Sequence, residues 1–166
     1  MRFVIGALSP QTDTTNFDCG EPPLNDYLKR YSSQDVKRGL ARIFAAAELD
    51  SPSVVLGFYT LSAASVAADS LPDPIRKRLP RYPIPVALLG RLAVSRAIQG
   101  KGLGAILLAD ACKRVIAASE TLAVAAIVVD AKSPQSARFY EHHGFQPLPA
   151  RPDRWMLARS QFSDLA

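Results

Sequence analysis

The hexapeptide Gln99-Gly100-Lys101-Gly102-Leu103-Gly104 constrains this chain more than any other feature. It stands between an apolar run, Val86 to Val94, and a segment from Gly102 to Ala118 with Leu103, Ile106, Leu107, Ala111, Val115 and Ala118 at helical spacing. Three glycines in six residues let the backbone turn sharply and come close to a ligand. A helix that opens there leaves its first amide N–H groups unpaired and aimed into the loop, and its macrodipole adds partial positive charge. Lys101 adds a full charge. Strand, glycine loop and helix N-terminus together make an anion site.

Three nucleotide-binding patterns compete for this loop. A Walker A loop ends Gly-Lys-Ser/Thr, which is absent. A Rossmann fingerprint spaces its glycines G-x-G-x-x-G and places an acid about 20 residues further on. The spacing here is G-x-G-x-G, and Glu120 follows only after the helix. The third pattern, Arg/Gln-x-x-Gly-x-Gly/Ala, is met by Gln99, Gly102 and Gly104. A glycine turn without a ligand is the alternative to all three.

The remaining punctuation predicts an α/β chain. Arg2 to Leu8 reads as a strand. A helix starts at Pro23, with Leu24, Tyr27, Leu28 and Tyr31 on one face, and Gly39 stops it. Ala41 to Leu49 and Val54 to Ser65 read as a hairpin turning at Asp50, Ser51 and Pro52. Five prolines between Leu71 and Pro85 leave room only for a short helix around Ile75 to Arg78. Val86 to Val94 is a strand that Gly90 should interrupt with a bulge. Leu122 to Val129 is an apolar strand covered on both sides. Ser133 to His143 is a helix with Pro134 in its first turn and Gly144 past its end. Phe145 returns as strand, and Arg154 to Ala158 is the last one.

A length of 166 residues suits a single domain, residues 1–166. Two cysteines, Cys19 and Cys112, with no C-x-x-C pair, exclude a disulfide scaffold and a cysteine metal site and suit a reducing cytoplasm. The uncharged stretch Ser51 to Ala68 carries six hydroxyls, Pro52 and Gly57, which fit a sheet better than a bilayer. The formal charge of +5 is unevenly spread. Lys29 to Arg42 carries a net +4 and Leu71 to Lys101 a net +6, against −3 for the first 28 residues. If the two basic segments converge they make a face for phosphates; otherwise they are solvated surface.

The hexapeptide, preceded by Arg91-Leu92-Ala93-Val94 and followed by Asp130 and Phe139-Tyr140-Glu141-His142-His143-Gly144-Phe145, resembles the GNAT acetyltransferase superfamily over Val86 to Phe145. Phe17-Asp18-Cys19-Gly20, the helix start at Leu24 to Leu28, Gly57-Phe58-Tyr59-Thr60-Leu61-Ser62 and Leu79-Pro80-Arg81-Tyr82-Pro83 resemble, more narrowly, the GNAT toxins of bacterial type II toxin–antitoxin modules. The resemblance implies a GNAT fold: a mixed central sheet of six to seven strands, splayed in the middle and flanked by about four helices. It implies acetyl-CoA as donor and no metal. The pyrophosphate would lie on amides of Gln99, Gly100, Lys101, Gly102, Leu103 and Gly104, and the pantetheine arm on the strand edge Leu92, Ala93 and Val94. Tyr140 matches the family's tyrosine beside the thioester sulfur. A phenol with a pKa near 10 is protonated at neutral pH and can donate to the departing thiolate. Many family members carry asparagine where this chain has Pro134, so that contact would come from elsewhere, from Ser133 or Ser136, or be absent.

The toxin resemblance further implies the acceptor, the α-amino group of an aminoacyl-tRNA, whose acetylation stops translation. Lys29, Arg30, Arg38, Arg76, Lys77, Arg78 and Arg81 are the candidates for tRNA phosphates. A chain α-amine titrates near ~7.7–8.0 and an ester lowers that, so no strong base is required. Glu48, His142 and His143 are better read as surface or helix-end groups. By the same resemblance the partner would be a ribbon–helix–helix antitoxin, contact with DNA would be indirect through that complex, and the chain would be a cytoplasmic homodimer away from membranes. Two other classes remain open. One is a GNAT enzyme acting on a small amine or a protein lysine. The other is a silent module that binds nucleic acid or a partner.

Overall fold

Alternation of apolar strands with glycine and proline breaks gives seven strands and five short or medium helices in the computed structural model, which describes residues 1–164. They follow the order β1 (Phe3–Ala7), α1 (Pro22–Asp26), α2 (Ser32–Lys37), β2 (Arg42–Glu48), β3 (Gly57–Val66), α3 (Asp73–Arg76), β4 (Ile84–Val94), α4 (Leu103–Ala118), β5 (Ala126–Asp130), α5 (Pro134–His142), β6 (Gln146–Leu148) and β7 (Arg151–Ala158). The strands form a mixed sheet in the order β1-β2-β3-β4-β5-β7-β6, and the chain divides into two compact units. The first unit comprises Met1–Ser62 and Gly90–Ala111; the second comprises Ala63–Leu89 and the chain from Cys112 onward. Strands β3 and β4 each begin in one unit and end in the other.

In the first unit β1 pairs antiparallel with β2, from Phe3↔Glu48 to Ala7↔Phe44, and β2 with β3, from Arg42↔Leu61 to Ala46↔Gly57. Between β1 and β2, a π-helical turn at Tyr27–Tyr31 joins α1 to α2. It points the adjacent Tyr27 and Leu28 inward while Lys29 and Arg30 stay exposed. Tyr27 and Leu28 pack with Phe17, Ile43, Val55 and Phe58, where Phe17 meets Phe58 edge-on at 5.6 Å. Gly57 allows a close approach here. A Cβ on it would lie 3.0 Å from Leu107, 3.1 Å from the Ala93 carbonyl and 3.2 Å from Leu103. The Leu103 and Leu107 side chains of α4 therefore pack directly on the Gly57 backbone.

In the second unit β4 runs parallel to β5 over Ala87↔Ile127 to Leu89↔Val129. Strand β5 pairs antiparallel with β7 from Ala126↔Ala158 to Asp130↔Arg154. Val66, Leu71, Ile84, Val86, Val128, Leu148 and Met156 make the core of this unit. The all-apolar β5 is buried at every position from Ala126 to Val129, as its composition requires.

Several boundaries differ from the sequence expectation. Helix α3 starts two residues earlier, with Pro74 taken into its first turn. Strand β4 runs unbroken through Gly90. Strand β5 begins only at Ala126, and Leu122 is 66% exposed in the approach. On α4, Ile106 is 43% exposed and Ala118 is also exposed, whereas Leu108 and Cys112 are buried. The covered arc is half the helix circumference, from Leu103 round to Cys112, and Ile106 falls outside it. Strand β7 starts at Arg151, three residues before the expected Arg154.

Candidate active site

The glycine loop is anchored from below by its own first residue. After β4, the Ser95 N–H donates to the Leu56 carbonyl (2.8 Å) and the Arg96 N–H to the Asp18 carbonyl (2.8 Å). Gln99 then lies extended, and its side-chain amide donates to the Cys19 carbonyl at 2.9 Å and the Val94 carbonyl at 2.8 Å. Gln99 is thus a latch between the end of β4 and the Asp18–Gly20 turn. Gln99→Ala should lower unfolding stability by about 1 kcal/mol in urea titrations, because two carbonyls lose a donor beside partial solvent.

Above the latch the loop is bare. Gly100 and Gly102 have φ of +82° and +88°, and a Cβ built on either meets no heavy atom within 4 Å. The Ile106 N–H donates to the Gly102 carbonyl at 3.2 Å, so α4 bonding starts there. The amides of Leu103, Gly104 and Ala105 belong to the first turn, which offers no intrahelical acceptor. Lys101 is exposed beside them, while the Leu103 side chain is buried and pins the helix. Bare glycine surface, oriented amides and one cation fit an anionic diphosphate. Just upstream, Ala93 is buried, with Leu92 and Val94 half-buried. The Arg91 guanidinium lies 3.5 Å over the ring of Tyr27, whose hydroxyl donates to Asp35 at 2.8 Å. Burial, and then that bond to a carboxylate, push the Tyr27 phenol up to about 12.

In the second unit, α5 carries Tyr140, 6% exposed, with Phe139 at 5.2 Å and Phe145 at 5.4 Å between ring centroids. Burial, and then the Asp130 carboxylate, raise its phenol well above the ordinary tyrosine value. That acid is itself held by Arg154, at 2.8 and 3.2 Å from its two oxygens across the β5–β7 register. The Arg154 guanidinium draws the Asp130 carboxyl below the usual carboxylate range. Helix α5 is fixed at its start by Ser133 and Ser136. The Ser133 hydroxyl accepts from the Ser136 N–H, and the Ser136 hydroxyl from the Ser133 N–H, each at 3.1 Å. These two serines form a capping box. His143 sits at the helix end with its ring 4.8 Å from Phe139.

The second unit also holds a cleft of about 650 Å³ lined by Ala67, Ala68, Asp69, Arg76, Lys77, Leu79, Arg81 and Pro83. Three of the seven basic candidates therefore share one concavity. Arg76 also bonds Asp73 at 2.8 Å on the surface. Arg78 is exposed outside the lining, and Lys29, Arg30 and Arg38 are exposed on the α1–α2 stretch of the first unit. Sequence reasoning singled out neither the Gln99 latch, nor the Arg91–Tyr27 stack, nor the Asp130–Arg154 pair. Only the last left a signal: an acid at one strand end and a base on the last strand.

A family model for an acetyltransferase (GNAT) domain matches residues 41–147. The chain is 39% identical over 150 residues to a tRNA-acetylating toxin of Mycobacterium tuberculosis (strain ATCC 25618 / H37Rv), spanning 90% of this chain and 88% of that protein. Among solved structures, AtaT complexed with acetyl-methionyl-tRNAfMet superposes with a TM-score of 0.91 at 29% identity, covering 99% of each chain. A Tyr→Phe mutant of AtaT, bound to the C-terminus of the antitoxin AtaR and to acetyl-CoA, superposes with a TM-score of 0.83 at 27% identity, covering 98% of this chain and 97% of that one. No helix among the described residues is long and apolar enough to cross a membrane.

Proposed function

Because this chain belongs to the GNAT acetyltransferase family, we propose that it transfers an acetyl group from acetyl-CoA to the α-amino group of an aminoacyl-tRNA and thereby blocks translation as a toxin. The observation that carries the choice of acceptor is the cleft: Arg76, Lys77 and Arg81 converge in one concavity, which a small amine, itself a cation, would not need. The similar proteins that act on or hold tRNA support the same choice. We take residues 1–166 as one such domain, since β3 and β4 run through both units.

When bound, acetyl-CoA supplies an activated acyl thioester. The amides from Gln99 to Gly104 and the Lys101 charge would hold its diphosphate, and the backbone of Leu92 to Val94 would align the pantetheine arm as an added strand. Tyr140 would give its phenolic proton to the departing sulfur, and its raised pKa keeps that proton on the oxygen throughout the physiological range. Ser133 and Ser136 hold the start of the helix that carries Tyr140, and their N–H groups are already shared between them. They position α5, and any contact of theirs with the donor would come in addition. The acceptor amine, with a pKa below ~7.7–8.0, arrives largely neutral and needs no dedicated base.

The direct test is incubation with labelled acetyl-CoA and total charged tRNA, followed by hydrolysis and mass spectrometry of the released amino acids. An N-acetyl amino acid is expected. Label that moves only to polyamines or protein lysines would overturn the tRNA reading in favour of a small-amine or protein acetyltransferase. The cleft makes a second prediction. Arg76→Ala/Lys77→Ala/Arg81→Ala should weaken tRNA binding roughly tenfold or more at low salt and lower the slope of log K against log [salt] by about 3, whereas Arg78→Ala should change both far less. Unchanged slopes would reduce these residues to solubility groups. On the family's pattern, a ribbon–helix–helix antitoxin would restrain the enzyme, which would act in the cytoplasm as a homodimer.

A further inference from the structure

The cationic cleft has an aromatic neighbour that none of the preceding roles uses. Tyr82 lies between two residues of the cleft lining, Arg81 and Pro83, and is 65% exposed. Three other tyrosines, Tyr27, Tyr59 and Tyr140, are buried. No ring, charge or hydrogen-bond partner for Tyr82 occurs among the described residues. Pro80, Pro83 and Pro85 fix backbone angles on either side of it. The ring is therefore exposed on a stiff segment between two residues of the cleft lining, at little entropic cost when something stacks on it.

We propose that Tyr82 is a stacking platform for an unpaired base near the 3′ end of the RNA acceptor, with Arg76, Lys77 and Arg81 in the adjoining cleft holding the phosphates of that single strand. This inference rests on the aminoacyl-tRNA reading above. Bases inside a duplex already stack on each other and offer no free face, so an exposed ring beside cations selects a single-stranded end. Stacking is tolerant of base identity, since every base has a π-face. Asp69 is an acid in the same lining, and its charge disfavours phosphate beside it.

The test uses the full chain, without acetyl-CoA, and two fluorescent RNA hairpins of equal duplex length. One carries an uncharged four-nucleotide 3′ overhang; the other is blunt. Anisotropy titrations should show that Tyr82→Ala weakens overhang binding about tenfold, leaves blunt-hairpin binding unchanged, and leaves the salt slope of both unchanged, because no phosphate contact is lost. Tyr82→Phe keeps the ring and should bind within about twofold of the natural protein. Overhang affinity unaltered by Tyr82→Ala would overturn the proposal, as would an equal loss on both hairpins or a loss in Tyr82→Phe matching that of the alanine variant. Because the readout needs neither acyl transfer nor a charged RNA, its failure is distinct from failure of the acceptor assignment, which is read from released N-acetyl amino acids.

Discussion

Tyr140→Phe is expected to abolish toxicity on expression and to cut acetyl transfer by about 10²–10⁴-fold, while acetyl-CoA affinity measured by calorimetry stays close to that of the natural protein. Phenylalanine retains the ring contacts with Phe139 and Phe145 and fits the same buried space, so only the hydroxyl is lost. The sign of the pKa shift matters to this expectation. Burial and the Asp130 charge both disfavour phenolate, so Tyr140 enters the reaction protonated, and the phenolate left when the sulfur takes its proton is quenched by the proton that the attacking amine sheds. With the phenol raised, the acid form should not be lost as pH rises from 6 to 9, and any pH dependence there belongs to the acceptor amine. Full toxicity of the phenylalanine variant would remove Tyr140 from the chemistry and leave it an aromatic core residue.

Gly102→Asp is expected to weaken acetyl-CoA binding by about 10- to 1,000-fold, roughly 1.4–4 kcal/mol, chiefly because its carboxylate repels the diphosphate. The residue has φ of +88°, which side chains with a Cβ rarely adopt, and the space around it is open. A carboxylate there would sit among amides aimed at an anion and replace it. Gly102→Asn has nearly the same shape, tolerates left-handed backbone better and carries no charge, so it should lose much less. Equal affinities for the natural protein and the aspartate variant in calorimetry would mean that the diphosphate lies elsewhere.

The glycine loop was legible because it is local: six consecutive residues fix turn, helix start and charge. Strand and helix order was legible for the same reason, since Gly39, Pro134 and Gly144 mark ends that depend on backbone angles alone. What escaped depends on tertiary surroundings. Ile106 and Leu108 are equally apolar, and only the neighbours that cover α4 decide that one is exposed and the other buried. Leu122 to Ala125 continue the apolar run of β5, yet the strand waits for the register with Ala158. Arg76, Lys77, Arg78 and Arg81 could not be ranked along the chain, because a short helix and a proline-rich return decide which of them face one concavity. Ser133 and Ser136 suggested a ligand by position, while their spacing of three is also that of a helix cap.

The interleaving of the two units bears on how such a chain can change over generations. The glycine loop belongs to one unit, while the cationic cleft and Tyr140 belong to the other, and the boundaries between units fall after Ser62, Leu89 and Ala111, two of them inside strands. The cleft lining itself, from Ala67 to Pro83, falls between the end of β3 at Val66 and the start of β4 at Ile84, so an exchange of that segment cuts no strand and leaves the glycine loop untouched. The surface around the cleft can therefore vary by short exchanges as well as by isolated codon changes, while Gln99 to Gly104 are inherited intact.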